Sequence, residues 1–316
     1  MAIIKTDKLS KVFITSTGSI NAVKDISLSV KAGEIYGFLG PNGAGKTTTL
    51  RMLCTLMQPT GGTAFVAEYN LITQQDKVRE SIGYVSQIGG LIENLSGREN
   101  LVFQGRFYGM SKKKSQERAQ ELIQFFELEL FIDRLVQTYS GGQKRRVELA
   151  VGIMHKPKLL FLDEPTLGLD SQSRMHLWQQ VKLLQKQGTT IFLTTHYLEE
   201  ADTICDRIGI IDQGTIIIEG TPQKLKQQIA QDTITVAINP EQVEQAYTLL
   251  KLEPYVEAID KHDSELKIGV AESEEIVLLV LRTLDAAGIT IKTISQSRPT
   301  LDDVFLYYTG RSLREK

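Results

Sequence analysis

Residues 40–47 constrain the fold of this chain more than any other segment. They read Gly-Pro-Asn-Gly-Ala-Gly-Lys-Thr, which fits the pattern G-x-x-x-x-G-K-[ST]. The segment follows a strand-like apolar run at 35–39 and precedes a helix-like run at 48–57. Glycines let successive backbone N–H groups face a phosphate, and the helix start adds partial positive charge. The placement disfavours a merely flexible glycine-rich connector and predicts a nucleoside triphosphate site.

Each position of this segment, and the following Thr48, is a candidate nucleotide ligand. Lys46 is expected to reach the β- and γ-phosphates, and the Thr47 hydroxyl is expected to bind Mg²⁺. The complete candidate set is Gly40, Pro41, Asn42, Gly43, Ala44, Gly45, Lys46, Thr47 and Thr48.

Two adjacent acids follow a second apolar run, at residues 159–162. Asp163, at the tip of the predicted strand, suits holding Mg²⁺ through water, and Glu164 suits orienting or deprotonating an attacking water. An apolar run followed by acids is also typical of any strand that enters a loop. Its combination with the phosphate motif favours the catalytic interpretation.

Composition narrows the class of protein. The 316 residues carry 36 Lys plus Arg and 38 Asp plus Glu, a net charge of −2, so no global positive field attracts nucleic acid. Hydrophobic residues at 41% and charged residues at 23% indicate a folded globular chain. No apolar run approaches the roughly 20 residues that span a bilayer, and the first residues lack a signal-peptide pattern. We expect any membrane role to be peripheral, no nucleic-acid partner, and reduced buried thiols at Cys54 and Cys205.

A third motif, Ser-Gly-Gly-Gln at residues 140–143, lies 19 residues before Leu159. Alone it would be an ordinary helix cap. In this position it resembles the signature of the ABC ATPases, and residues 3–225 resemble an ABC transporter ATP-binding subunit. The family's motifs occur in order: Walker A at 40–48, the Q-loop glutamine Gln87, the signature, Walker B at 159–163, Glu164, a D-loop at 167–170, and the H-loop histidine His196.

The resemblance implies ATP and Mg²⁺ as cofactors and two nucleotide domains that face each other head to tail. Each ATP is then held between the Walker A motif of one subunit and the signature of the other. His196 is implied to contact the γ-phosphate, and Gln87 to bind Mg²⁺ or water and to act as a hinge. Phe13 is the candidate for stacking on adenine, with core packing as the alternative. The further implied nucleotide ligands are Ser140, Gly141, Gly142, Gln143 and Asp170.

We interpret the chain as two domains, an α/β ATP-binding domain and a small α+β accessory domain. Residues 1–226 form the P-loop ATP-binding domain, with a helical insert at about 88–138. Residues 227–316 read β-α-β-β-α-β, a ferredoxin-like accessory or regulatory domain. Residues 299–310 resemble the tail of daunorubicin-resistance export ATPases.

This second resemblance implies an export role. The partners would be a separate integral membrane permease and a second copy of the chain, at the cytoplasmic face of the membrane. The cargo would be a hydrophobic drug or a lipid-like molecule. Two alternatives are a non-transport ABC ATPase that acts as an ATP-switched binding protein and a metabolic kinase. The kinase interpretation leaves the signature and His196 unexplained.

Overall fold

A computed structural model describes residues 1–16, 18–229, 232–262, 264–270 and 273–310. The chain divides into two compact units, one covering residues 1–222 and one beginning at Gln223. Parts of the predicted 227–316 domain, including residues 311–316, lie outside the described residues.

The first unit is built from strands and helices in alternation. The strands are β1 (Ala2–Thr15), β2 (Gly18–Ile26), β3 (Ser29–Lys31), β4 (Ile35–Leu39), β5 (Gly61–Val66), β6 (Tyr69–Asn70), β7 (Ile82–Val85), β8 (Leu159–Asp163), β9 (Thr190–Thr195), β10 (Arg207–Asp212) and β11 (Thr215–Gly220). The helices are α1 (Lys46–Leu53), α2 (Gln75–Ser81), α3 (Gly97–Phe107), α4 (Lys112–Phe125), α5 (Gly141–Gly152), α6 (Ser171–Lys186) and α7 (Leu198–Ile204).

A central sheet of order β11-β10-β4-β9-β8-β7 organises this unit. Strands β10, β4, β9, β8 and β7 pair in parallel, and β11 runs antiparallel at the edge. Every residue of β4, β8 and β9 is buried. Continuous apolar runs suit strands covered on both faces, and the Phe192 ring packs 5.5 Å from the rings of both Tyr36 and Phe161. The α/β fold is confirmed.

A second sheet, which the sequence pattern did not reveal, has the order β2-β1-β5-β6, with β3 also paired to β1. Its pairings are antiparallel. Phe13 lies here on β1 opposite Ile20, is half-buried, and has the Lys11 Nζ atom 5.4 Å from its ring centroid.

The predicted helical insert consists of α3, α4 and a 3₁₀ turn at Val136–Thr138, between β7 and β8. Ser96 caps α3 with a capping box completed by Glu99, and Ser111 caps α4. The buried Tyr139 hydroxyl accepts a hydrogen bond from the Gly97 N–H (3.1 Å), so the residue before the signature holds the start of α3.

The second unit contains β12 (Asp232–Ile238), α9 (Val243–Leu250), β13 (Ala258–His262), β14 (Glu265–Val270), α10 (Ser273–Ala286) and β15 (Ile291–Ser297). Helix α8 (Pro222–Gln227), which begins at the last residue of the first unit, comes before these elements in the chain, and α11 (Leu301–Thr309) comes after them within the second unit. The antiparallel strand order β13-β14-β12-β15 is the ferredoxin-like order, as expected. Ile234, Ile268 and Leu284 belong to its own buried core.

In the part of the chain that the structure describes, no helix combines the length and apolarity needed to cross a membrane.

Candidate nucleotide site

Four parallel strands bring the predicted site residues to one edge of the central sheet. Gly40 follows β4, and His196 follows β9. Asp163 ends β8, and Gln87 lies two residues beyond β7. Because these strands are parallel neighbours, their carboxyl ends meet at the same edge, where open α/β sheets bind ligands.

The loop between β4 and α1 has a backbone that glycine permits. Gly43 and Gly45 have φ angles of 80° and 109°, in the left-handed region. At Gly40 a Cβ atom would lie 2.1 Å from the Ile211 carbonyl oxygen, so no side chain fits there. Helix α1 begins at Lys46 without a side-chain cap. Its first N–H groups suit a phosphate, and this loop fits the triphosphate of ATP.

Lys46 is buried, with 5% of its surface exposed. Its ammonium group donates hydrogen bonds to the carbonyl oxygens of Gly40 (2.6 Å) and Pro41 (3.1 Å). It also lies 3.8 Å from the Glu164 Oε1 atom. Burial lowers the pKa of Lys46, and the nearby carboxylates of Glu164 and Asp163 oppose that change. The phosphate loop and the acidic pair are therefore one electrostatic unit.

Oxygen atoms suited to Mg²⁺ lie beside this lysine. The Thr47 hydroxyl lies 3.3 Å from Asp163 Oδ1, and the Thr194 hydroxyl donates a 2.6 Å hydrogen bond to the same oxygen. Mg²⁺ prefers oxygen ligands and usually takes only one or two from protein, the rest being water and phosphate oxygens. A hydroxyl and a carboxylate at the end of a phosphate loop fit that requirement.

Glu164 has a left-handed backbone, with φ of 45°. Its N–H group donates to both the carbonyl oxygen and the hydroxyl of Thr194, each at 3.1 Å. Its Oε2 atom lies 3.2 Å from His196 Nδ1. The strand ends as the chain reaches Glu164, so its carboxylate faces the lysine and the histidine. A carboxylate held in this way can accept a proton from water.

Thr194 is the residue that sequence reasoning missed here. It is fully buried in β9 and contacts both predicted acids. Its only sequence signal is its place near the end of a strand that alternates no polar face, where it is one of three threonines and lies two residues before His196.

Gln87 and Phe13 are not joined to this cluster. Gln87 is exposed, and among the described residues no hydrogen bond connects it to Asp163 or Glu164. Phe13 belongs to the other sheet. Their roles stay predictions.

The signature forms a second polar site. Ser140 caps α5 with a capping box completed by Gln143, and both Ser140 and Gly141 are exposed. A cavity of about 280 Å³ opens here. In the described chain its lining comes from the starts of α5 and α6 and includes no phosphate-loop residue: Ser140, Gly142, Gln143, Arg146, Gln172, Ser173 and His176.

Asp170 caps α6, accepting hydrogen bonds from the Ser173 N–H (2.9 Å) and hydroxyl (2.7 Å). These bonds lower the pKa of Asp170. At Gly142 a Cβ atom would lie 2.4 Å from the Ser173 hydroxyl, so glycine allows α5 and α6 to approach. Asp170 thus shapes the wall of the signature cavity.

Family models match both units. Residues 23–167 match the family described as ABC transporter, and residues 220–309 match the family described as ATP-binding protein DrrA1-3-like, C-terminal domain.

Similar proteins cover nearly the whole chain. The daunorubicin/doxorubicin resistance ATP-binding protein DrrA of Streptomyces peucetius is 41% identical, over 97% of this chain and 92% of that protein. The linearmycin resistance ATP-binding protein LnrL of Bacillus subtilis is 38% identical, over 94% and 96%. The Nod factor export ATP-binding protein I of Rhizobium sp. is 36% identical, over 95% and 96%.

Solved structures of ATP-binding cassettes resemble about two thirds of the chain. A dimeric ATP-binding cassette in a post-hydrolysis state, bound to ADP and Pi, has a TM-score of 0.63 and 29% identity, covering 69% of this chain and 98% of that one. A dimeric bacterial ABC transporter cassette has a TM-score of 0.63 and 30% identity, with the same coverage. The chain therefore belongs to the ABC transporter family as an ATP-binding subunit, an ATPase that uses ATP with Mg²⁺ and carries a DrrA-like C-terminal domain.

Proposed function

We propose that two copies of this ATPase pair head to tail around two ATP molecules and power export of a hydrophobic, drug-like or lipid-like molecule through a separate integral membrane permease. The observation that carries the pairing is the separation of two phosphate-suited sites within one unit. The phosphate loop lies at the carboxyl edge of the central sheet, whereas the signature cavity lies at the starts of α5 and α6. A second copy would supply the missing half of each site.

The cargo class is supported by the relatives named above for daunorubicin, linearmycin and Nod factor. The chain would work at the cytoplasmic face of the membrane, where it would meet the proposed permease. We assign residues 227–316 a regulatory or dimer-stabilising role.

Each residue of the cluster has a chemical role in this proposal. Thr47 and Asp163 would hold Mg²⁺, which would neutralise part of the charge on the β- and γ-phosphates. Lys46 binds those phosphates. Glu164 orients the attacking water and accepts its proton, and His196, whose Nδ1 atom lies 3.2 Å from Glu164 Oε2, contacts the γ-phosphate.

Head-to-tail pairing can be tested by complementation. Lys46→Ala disables the phosphate loop, and Gly141→Asp places a carboxylate where the signature would meet phosphate. The fold accommodates that aspartate, because a Cβ atom at Gly141 meets only Leu169 Cδ2, at 3.8 Å. Each variant alone should be inactive. Their mixture should recover ATPase activity, because a mixed dimer holds one intact pair of Lys46 and Gly141.

Failure of the mixture to recover activity, with both variants folded, would refute head-to-tail pairing.

The transport role needs a separate test. A tagged copy of the chain, purified from the solubilised membranes of its own cells, should co-purify with a membrane protein that has several transmembrane segments. Adding that protein to the purified chain should stimulate ATP hydrolysis. Recovery with ribosomes or DNA instead would favour the non-transport alternative.

A further inference from the structure

Arg145 is a buried charge that none of the sequence motifs explains. It lies on α5, two residues after the last signature residue Gln143, and 7% of its surface is exposed. A buried guanidinium is retained only where hydrogen bonds satisfy it. Its contacts therefore identify what the residue holds.

The guanidinium binds the backbone on both sides of Glu164. Its Nε atom donates to the Pro165 carbonyl oxygen (2.7 Å), and Nη2 donates to the Asp163 carbonyl oxygen (3.2 Å). These two carbonyls flank the residue whose own backbone is in the left-handed region. Arg145 thus braces the strained turn that presents the Glu164 carboxylate.

The same side chain also binds the loop that contains Gln87. Its Nη1 atom donates to the Ser86 carbonyl oxygen (2.7 Å) and pairs with Glu148 Oε2 (2.8 Å). Glu148 lies against this loop as well, because a Cβ atom at Gly89 would meet its Oε1 at 2.3 Å. The Ser86 hydroxyl closes the loop by donating to the Gly89 carbonyl oxygen (3.0 Å).

Ser140 caps α5 and Arg145 lies within it, so the two residues belong to one helical segment. An α-helix rises about 1.5 Å per residue, so this segment is short. We infer that Arg145 is a positioning residue that couples the signature helix to the Glu164 turn and the Gln87 loop of its own subunit. The coupling rests on the proposed roles of Ser140 and Glu164. When the signature engages the nucleotide of the partner subunit, α5 holds the catalytic carboxylate and the Gln87 loop of its own site in register.

Arg118 offers a matched control. It too lies on a helix, donates to two carbonyl oxygens, Ile153 (3.2 Å) and Met154 (3.4 Å), and pairs with a glutamate three residues later, Glu121 (2.8 Å). Its contacts are structural and do not include the Glu164 turn or the Gln87 loop. A comparison of the two arginines therefore separates positioning from general stabilisation.

The test compares full-length Arg145→Lys, Arg145→Gln and Arg118→Gln for kcat, KM, binding of a fluorescent ATP analogue, and the steepness of rate against ATP concentration. Both Arg145 variants should bind the analogue within about twofold of wild type, while kcat falls about 10- to 100-fold. Cooperativity in ATP should fall as well. Arg118→Gln should keep kcat within about twofold. Arg145→Lys retains a positive charge that can pair with Glu148 but lacks the several N–H donors of the guanidinium. If Arg145→Gln does not fold, the result for Arg145→Lys decides the test.

An unchanged kcat in folded Arg145→Lys would overturn the inference. So would equal losses of kcat in Arg118→Gln and the Arg145 variants. A wild-type protein without ATPase activity would instead refute the proposed function.

Discussion

The Thr194 hydroxyl provides a quantitative test of how the acidic pair is held. It donates to Asp163 Oδ1 (2.6 Å) and accepts from the Glu164 N–H (3.1 Å), and the residue is fully buried. Thr194→Val keeps the shape but removes the hydroxyl. A buried charged group that loses a donor costs about 1–3 kcal/mol. We expect a loss of about 2 kcal/mol in the free energy of unfolding.

For a compact unit of this size that loss corresponds to a Tm about 4–8 °C lower. The assay is thermal unfolding followed by tryptophan fluorescence. The chain's single tryptophan, Trp178, is buried in α6, so the signal reports the first unit. Thr194→Ser is the control, because it keeps the hydroxyl and loses only a methyl group, about 0.8 kcal/mol. The reasoning fails if Thr194→Val is as stable as wild type or if Thr194→Ser is the less stable of the two variants.

Three further predictions concern the same unit. Glu164→Gln should lower steady turnover about 100-fold or more while ATP binding persists, and near-normal turnover would reject its role as base. Lys46→Ala removes a charge-assisted phosphate contact, so nucleotide affinity should fall about 10- to 100-fold together with turnover; unchanged affinity in a titration would contradict the phosphate-loop assignment. The His155 ring bonds to the Ile82 carbonyl oxygen (2.8 Å), and burial lowers the pKa of His155. Neutral His155 therefore stabilises the folded state, and this stabilisation is lost as the pH falls below the ordinary histidine pKa. The Tm advantage of wild type over His155→Phe should therefore shrink between about pH 7.5 and about pH 5.5, and a gap independent of pH would refute this.

The motifs were predictable because their chemistry is local. The phosphate loop, the Ser140 cap and the acids at the end of β8 each depend on neighbours within a few residues, and strand–loop placement fixes their edge of the sheet. The ferredoxin-like strand order of the second unit was predicted from the succession of its strands and helices along the chain, β-α-β-β-α-β.

Long-range contacts were not predictable. Thr194 meets Asp163 across 31 positions, and Arg145 meets Ser86 across 59. No spacing in a single sequence encodes such pairings. The β1–β5 pairing of the antiparallel sheet was missed for the same reason, because the two strands lie far apart in the chain.

The left-handed backbone of Glu164 lowers the stability of the fold at a residue whose carboxylate is needed for the proposed turnover. A non-glycine residue in the left-handed region costs about 1–2 kcal/mol, which glycine at the same position would recover. Glycine has no carboxylate, so relieving this strain would remove the proposed base together with the carboxylate that lies 3.8 Å from buried Lys46. Selection for ATP-driven turnover would therefore be expected to retain this acid despite its strained backbone. Substitutions that raise the thermal stability of an active enzyme are therefore expected at other positions in the chain.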